Sequence, residues 1–101
     1  MVRLRIAAPA QADIATILHT SEVLHGQSAR VRYRDLLAAA LRTIASAPDA
    51  PPTVARDPIQ PGLRSLHLRA ARGRHKAVRE PVHAVFFSIE ADGSVAVLRV
   101  L

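Results

Sequence analysis

Cysteine and tryptophan are both missing from this chain of 101 residues. Without cysteine there is no disulfide framework, no thiolate metal site and no thiol nucleophile. Aromatic residues make up only 3%, namely Tyr33, Phe86 and Phe87, so the core must be built from Leu, Ile, Val and Ala. No run approaches the ~18 consecutive apolar residues of a membrane-crossing helix, and the arginine-punctuated start has no secretory apolar region. The expectation is a soluble, cytoplasmic protein with no membrane partner. The five histidines include no His-x-x-x-His pair. Neither a metal site nor a cofactor is therefore expected.

What the chain does contain is apolar bulk and positive charge. Half of it is apolar and 22% is charged, a globular composition. The length suits a single domain over 1–101 that buries somewhat over ~60% of its unfolded surface. Fourteen basic residues stand against eight acidic ones, for a net charge of +6 with neutral histidines. Residues 1–63 carry +2 and residues 81–101 carry −1, whereas 64–80 alone carries +5. That segment holds Arg64, Arg69, Arg72, Arg74, Lys76 and Arg79 against Glu80. Such a concentration favours an anionic partner, either nucleic acid or an acidic protein segment. The simpler reading is a solvated loop that keeps the protein in solution.

The opening Val2–Ala7 alternates, Leu4 and Ile6 on one face and Arg3 and Arg5 on the other, which predicts a half-buried strand. Pro9 suits a first helical turn, and Ala10, Ile14, Ile17 and Leu18, then Ser21 and Leu24, form a helical stripe that Gly26 closes. Ser28 is placed to cap a second helix through Ala47, with Tyr33, Leu37, Ala40, Leu41 and Ile44 as its core stripe. Two helices with so short a joint predict an antiparallel hairpin. Residues 48–62 hold five of the seven prolines and read as a loop. A strand follows at Leu63–Leu68, then a basic loop over 70–81. The strongest strand signal is Val82–Glu90, with Val85, Phe87 and Ile89 on one face. Asp92-Gly93 marks a hairpin turn into a last strand at Val95–Leu101. The expected fold is α+β in the order β-α-α-β-β-β. An N-terminal helical hairpin packs on a small, mainly antiparallel sheet whose last two strands lie near its middle.

Three stretches carry a family resemblance. VRLRIAAPAQADIATIL at the start runs a short strand into a helix. IQPGLRSLHLR over 59–69 is a Pro-Gly-Leu-Arg turn feeding a strand, and HAVFFSIEADGSVAVLRVL over 83–101 is a hairpin ending in Leu-Arg-Val-Leu. In this order and spacing the chain resembles the ParE toxins of type II toxin–antitoxin modules, within the superfamily that includes the RelE ribonucleases. The resemblance implies a small cytoplasmic toxin, neutralised by a ParD-like antitoxin in a hetero-oligomer. ParE-like toxins inhibit DNA gyrase, whereas RelE-like toxins cut mRNA on the ribosome.

Fold alone does not choose between these branches; the residues do. Cleaving RNA by 2′-OH attack requires a proton acceptor, a proton donor and cations around the phosphate. Ser65 and His67 stand where the ribonuclease branch has lysines, and Ala84 stands where it has an arginine. That branch's other arginine and tyrosine lie beyond the final strand, and Tyr33 belongs to a predicted core stripe. The expectation is a toxin without catalytic residues that docks on a protein. Arg64, Arg69, Arg72, Arg74 and Arg79, with Arg99 of the closing strand, are its partner-binding candidates. The alternative is a ribonuclease using His67 and His83, on neighbouring strands and one shared face, with Arg64 or Arg69 nearby. A third reading is a nucleic-acid-binding module. The basic loop has no interleaved aromatics and the pattern shows no helix-turn-helix, leaving phosphate contacts without sequence readout.

Overall fold

The structure, a computed structural model, describes residues 1–72, 78 and 80–101. Strand β1 is Leu4–Ile6, the centre of the alternating opening. The chain then enters helix α1, Ala8–His25, with Pro9 in its first turn. Helix α2 is Gln27–Ser46, so the two helices share one joint residue instead of a short turn capped by Ser28. Gly26 accounts for the difference. Its φ of 93° lies in the region open to glycine, which lets the chain reverse at a single residue. Its N–H donates to the Glu22 carbonyl (2.8 Å), and its own carbonyl accepts from the Arg30 N–H (3.2 Å). One residue thus satisfies the end of one helix and the start of the next. A Glu22–Arg30 ion pair of 3.2 Å spans the same joint.

The proline-rich stretch is mostly loop, as its composition requires, but it contains a two-residue strand β2, Val54–Ala55. Strand β3 is Leu63–His67, one residue shorter than expected. A short helix α3, Leu68–Ala71, takes over where a strand end and basic loop were anticipated. Within that loop, residues 73–77 and 79 lie outside the described residues. Strands β4 (Ala84–Ile89) and β5 (Val95–Val100) form the predicted hairpin. At its turn, Asp92 Oδ1 accepts from the Ser94 N–H (2.9 Å) and hydroxyl (2.6 Å), and Gly93 has a φ of 86°.

The sheet order is β1-β5-β4-β3-β2. Pairing is antiparallel except between β1 and β5, which run parallel with Leu4 opposite Val95 and Ile6 opposite Val97. The fold is therefore α+β with a mixed sheet, and β2 and α3 are added to the expected element order. One sheet face carries Val85 opposite Val100 and, beyond a bulge at Phe86/Phe87, Phe87 opposite Val97. These side chains are fully buried together with Ile44, Leu66 and Leu68. The helical hairpin covers this face through Leu18, Leu36, Leu37 and Ala40. Each large aliphatic or aromatic side chain so buried contributes roughly 1.5–3 kcal/mol. Leu, Ile, Val and one Phe thus supply the core.

Candidate partner-binding site

Beside α2 the fold leaves a groove. At the hairpin end it widens to a cavity of about 720 Å³ lined by Ile17, Leu24, Arg32, Tyr33, Val82 and His83 among others. Leu24 and Val82 are 66% and 73% exposed, so this end presents apolar side chains to solvent. Tyr33 is not a core residue. It packs at the edge of the core and its hydroxyl shares a 2.6 Å hydrogen bond with His83 Nδ1. The two rings meet edge to face at 5.6 Å between centroids.

This pair is electrically quiet. Burial pushes the Tyr33 hydroxyl above its usual pKa. Burial, and then the charge of His67, push His83 below its usual value. Both side chains are neutral near pH 7, and their mutual bond satisfies two polar groups inside an apolar groove. Sequence reasoning missed the contact because Tyr33 falls in register with the apolar stripe of α2, and no local pattern announces a partner fifty residues away.

His67 and His83 do not share a face. His67 pairs with Ala84, and side chains alternate along a strand, so His83 falls on the opposite side. The Tyr33 bond fixes His83 on the helical side. His67 instead caps α3, its Nδ1 accepting from the Arg69 N–H at 3.1 Å. Burial and then the Arg69 charge lower its pKa. The expected two-histidine constellation is therefore not assembled.

The arginines singled out from the sequence are also dispersed. Arg64 sits opposite Phe87 in the sheet. Its Nε donates to the Pro48 carbonyl (3.0 Å) and its Nη2 to the Thr53 hydroxyl (2.9 Å) and carbonyl (3.3 Å). This guanidinium fastens the proline-rich loop to β3. Arg99 grips Asp13 through Nε (2.7 Å) and Nη2 (2.9 Å). Arg69 is exposed on α3. Arg72, half-buried at the end of α3, reaches the Val78 carbonyl at 3.4 Å. Arg74 and Arg79 lie outside the described residues.

Two cations that charge counting passed over stand in better positions. Arg32 and Arg42 lie on the exposed side of α2 and, with Arg72, line a second, smaller cavity of about 340 Å³ against α3. They were hidden in a segment of nearly balanced charge. The helical spacing of 32, 35, 39 and 42 was the signal that could have revealed them.

Among the described residues, no group of three His, Asp or Glu is arranged to hold a metal. No helix there is long and apolar enough to cross a membrane. The family model described as the ParE toxin of type II toxin-antitoxin system, parDE, matches residues 4–101. No curated protein sequence matches the chain. A chain from the chromosomal ParDE TA system of P. aeruginosa has the same fold, with a TM-score of 0.72 at 19% identity over 99% of this chain and 94% of that one.

Proposed function

This chain belongs to the ParE toxin family of type II toxin–antitoxin systems, and from that premise we propose a cytoplasmic toxin that acts by binding proteins without a catalytic step. Its target is DNA gyrase, and a ParD-like antitoxin neutralises it. The observation that carries the non-catalytic reading is the disposition of the two candidate histidines. His67 caps α3 and His83 is bonded to Tyr33, on opposite faces of the sheet. A general acid and base must converge on one substrate, and these two diverge.

The groove at the hairpin end supports a protein partner. It offers exposed Leu24 and Val82 around a neutral Tyr33–His83 pair, with Arg32 at the rim. Apolar anchors in such a groove with charge at its border are the usual composition of a protein interface. The antitoxin inserts apolar side chains there, beside Leu24 and Val82.

Purified gyrase in a DNA-supercoiling assay, run beside an mRNA-cleavage assay on translating ribosomes, tests this reading. Inhibited supercoiling with intact mRNA is the expected result. Cleaved mRNA overturns the non-catalytic assignment, and no effect on supercoiling overturns the gyrase assignment.

A further inference from the structure

The second cavity is not explained by antitoxin docking at the hairpin end. Arg32 and Arg42 project from α2, Arg72 faces them from the end of α3, and Leu36, Ala39 and Ala71 form the floor. Ten residues separate Arg32 from Arg42, a span of about 15 Å along the helix at ~1.5 Å per residue. Neither of them makes an ion pair among the described residues. Asp35, the one acid lining this cavity, stands beside Arg34 at 3.7 Å. Arg69, exposed on α3, adds a cation three residues before Arg72, which caps that helix.

We propose that this arginine-lined groove between α2 and α3 binds the sugar–phosphate backbone of duplex DNA without reading its sequence. Several cations spread along an open groove match a linear array of phosphates, and arginine forks suit phosphate oxygens in pairs. Between the arginines the lining is Leu36, Ala39, Ala71 and Val78, small or largely buried side chains that present less apolar surface than the exposed Leu24 and Val82 of the hairpin end, so charge outweighs apolar anchoring here. Single strands are held largely by stacking on aromatic rings. Among the described residues the groove's lining has none, and Tyr33 of the neighbouring cavity is engaged by His83. The duplex backbone is the polyanion that needs only what this surface provides.

The test is fluorescence anisotropy of the purified chain with a labelled random-sequence DNA duplex, across a series of salt concentrations. The slope of log affinity against log salt reports about 0.9 per phosphate contacted. Removing two contacts by Arg32→Gln with Arg42→Gln is expected to flatten that slope by about 1.8. The pair Arg3→Gln with Arg5→Gln removes the same formal charge within and just before β1, an edge strand of the sheet, and is expected to leave the slope unchanged. If the α2 double variant does not fold, each single substitution should flatten the slope by about 0.9. The proposal is overturned if the chain does not bind duplex at low salt, or if both double variants lose affinity equally. It is also overturned if a poly-glutamate peptide displaces the duplex at equal charge concentration. That outcome assigns the groove to an acidic protein segment.

Discussion

Asp13 holds the end of the last strand to the first helix through Arg99. Its Oδ2 accepts from Arg99 Nε (2.7 Å) and from the Val100 N–H (2.9 Å), while Oδ1 accepts from Arg99 Nη2 (2.9 Å). A carboxylate with three donors is strongly favoured in its charged form. The hydrogen bonds from Arg99 and from the Val100 backbone hold its pKa at about 2, against an ordinary 3.8.

Stability should therefore depend on acid through Asp13. A carboxyl depressed by folding stabilises above its unfolded pKa and loses that contribution as pH falls through the folded value. Relative to Asp13→Asn, the wild-type chain should melt higher at pH 7. The gap should narrow below about pH 4 and close near pH 2. Thermal melts of both proteins across this range check the prediction, and a pH-independent gap would assign the clamp's effect to packing alone.

Replacing Arg64 should damage the fold before it damages any partner contact. Thr53 is 5% exposed, and its hydroxyl both donates to the Pro48 and Ala50 carbonyls and accepts from Arg64. Thr53→Val should cost about 1–3 kcal/mol, the penalty for leaving buried polar groups unsatisfied. Urea denaturation of Thr53→Val and Arg64→Ala should show comparable losses. Antitoxin association by the folded fraction should keep its salt dependence.

His67 and His83 should make the chain less stable in mild acid. Both have pKa values lowered by burial, so the unfolded chain takes up protons first as pH falls below about 6.5. Stability present above that pH is lost as the folded values are crossed. Tyr33→Phe should leave the His83 value low, because burial is its leading cause. A histidine NMR titration of both proteins reads this directly, and a return of His83 to its ordinary value would make the tyrosine hydroxyl the cause instead.

Charge placed at the hairpin end of the groove should weaken antitoxin binding without unfolding the chain. Leu24→Asp and Val82→Glu alter side chains that are already exposed, so melting temperatures should stay within a narrow range. Affinity for the ParD-like antitoxin, measured by calorimetry, should fall about tenfold or more for each. Unchanged affinity would move the antitoxin to another surface.

Much of the fold was legible because strand alternation is local. Leu4 with Ile6, and Val85 with Phe87, declared their inward faces, and Asp92-Gly93 declared its turn. Sequence reading failed where geometry depends on distant partners. Two residues, Val54 and Ala55, have no period of their own and become a strand only because Ser65 and Arg64 lie opposite them. The basic segment looked uniform in composition. Its first arginine is nevertheless tied to Thr53, and Leu68–Ala71 turns into a helix capped by His67. Tyr33 kept the apolar rhythm of α2 yet serves the groove, since an aromatic ring with a polar tip satisfies both requirements.

The parallel pairing of Leu4 with Val95 also sets an order of events during synthesis. β1 is made before β5 and must wait for it before it gains its neighbour in the sheet. Meanwhile the completed helices hold Leu18, Leu37 and Ile44 without the Val95 and Val97 surface they later cover. Contacts so distant along the chain form slowly, and until β5 emerges this apolar face has no complete sheet to cover. A ribosome stalled before Val95 therefore carries a nascent chain that is protease-sensitive and attractive to chaperones, and release of the final strand closes the sheet.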